Sequence, residues 1–71
     1  MSKEKTTIGE TIRKYRLQKE MSQDKLSKLA DVAFHTIVKI ENGDTPNPTI
    51  DTVKKIAKAL NMSVDDLLDE K

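Results

Sequence analysis

The stretch 22–43, SQDKLSKLADVAFHTIVKIENG, constrains the fold of this chain more than any other. It holds two short patterns of helical spacing, with little more than Asp31 and Val32 between them. Leu26, Leu29 and Ala30 mark the first helix, over 22–30; Ile37 and Ile40 mark the second, over 33–41. Ser22 suits the first N-cap, because its hydroxyl accepts from an amide that has no partner in the helix. Asp31 is a short polar residue that tolerates a left-handed turn, and Val32 pins that turn to the core. Asn42-Gly43 ends the second helix with residues suited to a left-handed C-cap.

Helices this short do not stand alone in water, so the flanking segments must supply a scaffold. The connection leaves room only for a sharp helix–helix corner. That is a helix-turn-helix unit, whose second helix can lie in a DNA major groove.

The flanks read as that scaffold. Thr7-Ile8-Gly9-Glu10 is a capping-box pattern and starts a helix over 7–19. Ile8, Ile12 and Tyr15 form its buried stripe, with Leu17 touching the core from the edge, while Arg13, Lys14 and Lys19 are solvated. Glu20 occupies a corner where glycine would be comfortable, which implies local strain or a longer turn. Met21, just before the Ser22 cap, suits a hydrophobic staple. Two prolines in Asp44-Thr45-Pro46-Asn47-Pro48 make a loop. Thr49 caps a helix over 50–60, whose inner face is Ile50, Val53, Ile56, Ala57 and Leu60, and Asn61 is a suitable C-cap. Ser63-Val64-Asp65-Asp66 opens a last helix over 64–69, with acidic residues where the helix dipole favours them. Its apolar face is Val64, Leu67 and Leu68, and the tail 69–71 frays.

The expected architecture is therefore all-α: five short helices, no strand and no repeat. Residues 1–6 are expected to be a disordered basic arm carrying Lys3 and Lys5, and 7–71 one domain. The expected core is Ile12, Tyr15, Leu26, Leu29, Ala30, Val32, Ile37, Ile40, Ile50, Val53, Ile56, Leu60, Val64 and Leu67. An apolar content of 35% over 71 residues is enough for one modest core. The absence of cysteine rules out disulfides and thiolate zinc sites as supplements to it.

The N-terminus has no apolar run of signal-peptide type, and no stretch approaches the roughly 20 apolar residues needed to span a bilayer. A cytoplasmic, non-membrane protein is the expectation. A net charge of +1 says little about partners, but its distribution says more. Residues 1–40 carry nine Lys/Arg against five Asp/Glu, whereas 41–71 carry four against seven. A basic front and an acidic back would orient the domain on a polyanion; ordinary solvated helix surfaces would give the same count.

Taken together, these pieces resemble the Cro/repressor-type (Xre-like) helix-turn-helix DNA-binding domains of phage repressors and bacterial regulators. The resemblance runs from Ile8 to Leu68. It is carried by Ile8-Gly9-x-x-Ile12-Arg13-x-x-Arg16, by Met21-Ser22-Gln23-x-x-Leu26 and by Thr36-Ile37-x-Lys39-Ile40-Glu41-Asn42-Gly43. The tail Ile56-Ala57-Lys58-Ala59-Leu60-Asn61-Met62-Ser63-Val64-Asp65-Asp66-Leu67-Leu68 continues it. It implies a compact five-helix, lambda-repressor-like domain with the helix-turn-helix at its centre.

The resemblance also implies roles. Ala33, Phe34, His35 and Lys39 occupy positions that approach base edges. Ser22, Gln23, Thr36 and Asn42 occupy positions that meet the sugar-phosphate backbone; for Gln23 this agrees with the affinity of a helix N-terminus for anions. Arg16 and Glu41 match an ion pair that ties the first helix to the end of the third. Dimers on palindromic operators are usual for such domains. A chain of this length is expected to dimerise through the domain itself, around Val64, Leu67 and Leu68. Four features depart from the family pattern. Ala33 stands where a Ser or Thr cap is usual, and Asp31 where Gly is usual. Phe34 and Val38 replace outward polar residues, and the loop 44–48 is not basic.

For several of these residues more than one reading stands. Phe34 can meet thymine methyl groups, fold back as core, or form a protein interface with Val38. His35 can bond a base edge or phosphate, or be an exposed ring. Lys39 can meet guanine or a phosphate, or be a solvated helix lysine. Metal, cofactor and catalytic sites are not expected: the one histidine has no ligand set or nucleophile motif around it, and the acidic tail lacks calcium-loop spacing. The function expected is sequence-specific binding of double-stranded DNA by a transcriptional regulator, most simply a repressor acting as a homodimer. The alternative is a protein-interaction module of the same fold, antitoxin-like or partner-binding, that uses Phe34 and Val38.

Overall fold

The computed structural model describes residues 7–68, and every regular element in them is helical. The helices are α1 (Ile8–Gln18), α2 (Gln23–Ala30), α3 (Phe34–Glu41), α4 (Ile50–Ala59) and α5 (Val64–Leu68). The basic arm expected over 1–6 and the fraying tail expected over 69–71 lie outside the described residues.

Local chemistry sets the boundaries. Thr7 and Glu10 form a reciprocal capping box, at 3.1 and 3.3 Å, which starts α1. Ser22 Oγ accepts from the Lys25 amide at 2.9 Å and starts α2. Thr49 and Ser63 do the same for α4 and α5, accepting from Thr52 and Asp66. The corners use the left-handed region: Glu20 (φ 56°), Asp31 (φ 59°), Asn61 (φ 61°) and Gly43 (φ 91°). At Glu20 the corner is thus tight and strained, a conformation that glycine adopts without penalty. In the turn between α2 and α3 the Asp31 and Val32 amides donate to Lys28 and Ser27 carbonyls, closing the end of α2.

α2 packs on both α3 and α4, α1 packs on α3 and α5, and α4 meets α5. The core between them is Ile12, Leu26, Ala30, Ile37, Ile40, Val53, Ile56, Ala57, Leu60 and Leu67. Tyr15, Val32 and Val64 are half-buried against it rather than enclosed.

Three expected burials do not occur. Leu29 is 54% exposed. The buried face of α2 runs through Leu26, Ser27 and Ala30, so at about 3.6 residues per turn Leu29 falls on the far flank of Leu26. Ser27 can take the inward position because its hydroxyl is satisfied by the Asp24 carbonyl at 2.7 Å. Ile50 is 57% exposed; it opens α4 and lines a surface groove with Pro46, Pro48 and Leu68. Leu17, expected at the core edge, is 50% exposed because the inner face of α1 is Gly9, Ile12 and Arg16. Thr11, in turn, is buried, with its hydroxyl donating to the Thr7 carbonyl at 3.2 Å.

Two contacts fix α1 against α3. At Gly9 the two backbones touch. A Cβ there would overlap the Ile40 carbonyl oxygen and lie 3.1 Å from Glu41 Cα. At the other end Arg16 and Glu41 form a two-pronged pair, Nε to Oε2 at 2.7 Å and Nη2 to Oε1 at 2.9 Å. Their side chains are 8% and 3% exposed. The third Arg16 nitrogen, Nη1, donates to the Met21 carbonyl at 2.7 Å and holds the first corner. The hydrogen bond to Glu41 raises the Arg16 pKa above its ordinary value; burial works against that shift and the carboxylate charge adds to it. The ion pair expected between α1 and the end of α3 is present.

Glu41→Ala strands the Arg16 charge, and the expected loss is about 3–5 kcal/mol, a fall in thermal midpoint of more than about 10 °C in a melt followed by circular dichroism. Gly9→Ala favours the helix locally but forces α1 off α3; a net loss of about 1–3 kcal/mol is expected in urea titration.

Candidate nucleic-acid interface

α3 is two-faced. Ile37, Ile40 and Glu41 point inward. With about 3.6 residues per turn, the opposite face carries His35 with Lys39, and the flank between it and the buried side carries Phe34 with Val38. Phe34 is 43% exposed, His35 and Lys39 are exposed, and Val38 is half-buried. The Phe34 ring meets the His35 ring edge-on, with centroids 6.0 Å apart and planes at 84°. Phe34 is therefore not a core residue. Ala33 precedes them, exposed, and gives α3 no side-chain cap, as its methyl group dictates.

The residues expected at phosphates, Ser22, Gln23, Thr36 and Asn42, are exposed or half-buried. Ser22 is exposed at the start of α2, and its hydroxyl hydrogen stays available while its oxygen accepts from Lys25. Asn42 is exposed just after α3; its Oδ1 accepts weakly from the Asp44 amide at 3.4 Å, which leaves its NH2 group to donate elsewhere. Thr36 is half-buried in the first turn of α3. The loop after α3 folds back on it, the Thr45 amide donating to the Lys39 carbonyl at 3.1 Å.

Gln23 carries a contact that sequence reasoning did not anticipate. Its Nε2 donates to Glu41 Oε1 at 3.1 Å, so the start of α2 is tied to the end of α3 through the same carboxylate that holds Arg16. One amide hydrogen is spent on that bond and the second remains. The partners stand 18 residues apart. Gly9 belongs to the sequence motif, but its role shows only in the fold: a close approach to Ile40 that sets α3 against α1.

Leu67, expected at a dimer face, is fully buried within this chain. It is the residue through which α5 enters the core, so the outward side of α5 is Leu68, 52% exposed, with Val64 half-buried beside the core. Among the described residues no group of three or more His, Cys, Asp or Glu side chains is placed to hold a metal ion. No helix among them is long and apolar enough to cross a membrane.

A helix-turn-helix family model matches residues 12–67. The chain is 39% identical over 64 residues to the HTH-type transcriptional regulator SinR of Bacillus subtilis (strain 168), covering 90% of this chain and 58% of SinR. It is 44% identical over 63 residues to Control protein C.BamHI of Bacillus amyloliquefaciens, covering 87% of this chain and 76% of that protein. A crystal structure of SinR, described as the master regulator for biofilm formation, in complex with DNA matches with a TM-score of 0.84 at 37% identity, covering 87% of this chain and 98% of that one. The chain thus spans little more than half the length of the SinR regulator it matches. The family match over 12–67 and the likeness in sequence and fold show the family: this chain belongs to the Cro/repressor-type helix-turn-helix family.

Proposed function

We propose that the chain binds double-stranded DNA sequence-specifically and regulates transcription, with α3 seated in the major groove. The observation that carries this reading is the outward face of α3, where Phe34, His35 and Lys39 stand clear of the core on a helix braced from behind. Ala33, Phe34, His35 and Lys39 are assigned to base edges, and Ser22, Gln23, Thr36 and Asn42 to the sugar-phosphate backbone. Phosphate contacts fix register, while the α3 side chains supply sequence information. The crystal structure of SinR in complex with DNA supports the same target for this chain.

One such domain makes few contacts, and binding through phosphates alone is weak and salt-sensitive. A dimer on a palindromic operator, with half-sites about one helical turn apart, multiplies them. The face we assign to it is Leu68 with Val64 on α5, continued by Ile50 across the groove; buried Leu67 only anchors α5 from behind. Such a dimer represses most simply by occluding the polymerase. It works in the cytoplasm, where bacterial DNA lies, and it acts by binding, without catalysing a reaction.

A duplex selected from a random pool at stated salt provides the probe. Lys39→Ala is expected to weaken its binding about tenfold, with the thermal midpoint within about 2 °C of wild type because Lys39 supports nothing in the core. Unchanged affinity removes Lys39 from the interface. Gln23→Ala is expected to lower both DNA affinity and stability, the latter by about 1 kcal/mol, since it also deletes the bond to Glu41. Leu68→Asp is expected to abolish cooperative occupation of paired half-sites in a gel-shift titration while a single half-site is still bound; retained cooperativity moves the dimer face elsewhere.

A further inference from the structure

We propose that Phe34 reads the 5-methyl group of a thymine, so that the sequence preference of this protein includes a thymine set by apolar contact rather than by hydrogen bonding. The inference rests on the DNA-binding reading above and names what that interface selects.

Phe34 opens α3, the end of the recognition helix that reaches deepest toward base edges when such a helix enters a groove. It is 43% exposed, its ring meets His35 edge-on, and it is not part of the buried core cluster. Val38 follows one turn later on the same side and extends the apolar row. A phenyl ring offers base edges neither donor nor acceptor. Guanine N7 and O6, adenine N7 and N6 and cytosine N4 all lose hydrogen bonds to water when a ring covers them. The thymine methyl is the one methyl group on the floor of the major groove and the largest apolar surface there, so it gains most from such a cover.

A protein partner is a poorer occupant of the same row. A stable protein interface buries about 800 Å² on each side, and an apolar core within it is rimmed by polar residues. One half-exposed ring and one half-buried valine, flanked directly by His35 and Lys39, supply a small part of that. The flanking Lys39 and the basic balance of residues 1–40 suit a polyanion instead.

The test uses the full chain and the selected duplex. Each thymine is replaced in turn by uracil, which keeps every hydrogen-bonding group and removes only the methyl. At one or two positions per half-site the wild type is expected to lose roughly four- to tenfold in affinity. Phe34→Ala, its fold verified by the thermal midpoint, is expected to bind the thymine and uracil duplexes alike at that position, and Phe34→Leu to keep part of the difference. Wild-type binding that is indifferent to uracil everywhere overturns the inference while leaving DNA binding intact. A thymine preference that survives in Phe34→Ala also overturns it, by assigning the methyl contact to another residue. If no duplex is enriched over non-specific DNA, the DNA-binding reading falls and this inference falls with it.

Discussion

The carboxylate of Glu41 is the point on which the rest of the structure depends. It receives Arg16 from α1 through two hydrogen bonds and Gln23 from α2 through a third, while its own backbone forms the end of α3. Three helices too short to persist alone are joined at one buried charge. Arg16 in turn holds the Met21 carbonyl, so the corner that launches α2 belongs to the same network. A pair this enclosed contributes little as simple attraction, because both charges have left water. What it supplies is direction: a forked donor and a planar carboxylate meet in few orientations, and those fix how α1, α2 and α3 cross.

That rigidity separates two tasks on α3. Its inner side, Ile37, Ile40 and Glu41, is committed to the scaffold. Its outer side, Phe34, His35 and Lys39, adds nothing to the core and is available for recognition. Two exposed ion pairs among the described residues, Asp24 with Lys28 at 3.2 Å and Asp51 with Lys55 at 3.7 Å, are single-turn contacts on helix surfaces and bear on neither task. Gln23 is the exception to the separation. It is proposed to meet a phosphate, yet its amide is oriented by the buried network, so a proposed DNA contact and the interior share one residue.

Much of this was legible in the chain because it is local. The Thr7–Glu10 box, the Ser22, Thr49 and Ser63 caps, the Asp31 turn and the proline pair after Gly43 each act over a few residues, and the helices they delimit fall within about one residue of expectation. The Arg16–Glu41 pair was legible only through family resemblance, since nothing local joins residues 25 apart. Leu17 and Leu29 were misplaced because an apolar residue near the edge of a helical stripe is buried or exposed according to how the helix is rotated against its neighbours. Ile50 was misplaced because it stands at the first position of α4, in line with buried Val53 and Ala57 but at the end of the helix. Ser27 and Thr11 turned inward because each hydroxyl could bond a carbonyl of its own segment, which frees a polar residue for the interior. The Gln23–Glu41 bond and the burial of Leu67 are likewise products of assembly.

Gly9 has a consequence for how such a domain can drift. Distances between packed helices ordinarily follow the size of the side chains at the crossing, so exchanging a Leu for a Val lets the axes slide. Where α1 crosses the end of α3, no side chain intervenes; main chain rests on main chain. This gives α3 a mechanical stop. The hydrophobic interior can be respelled, and the reading surface exchanged residue by residue for a new target, while the pitch at which that surface is presented stays the same.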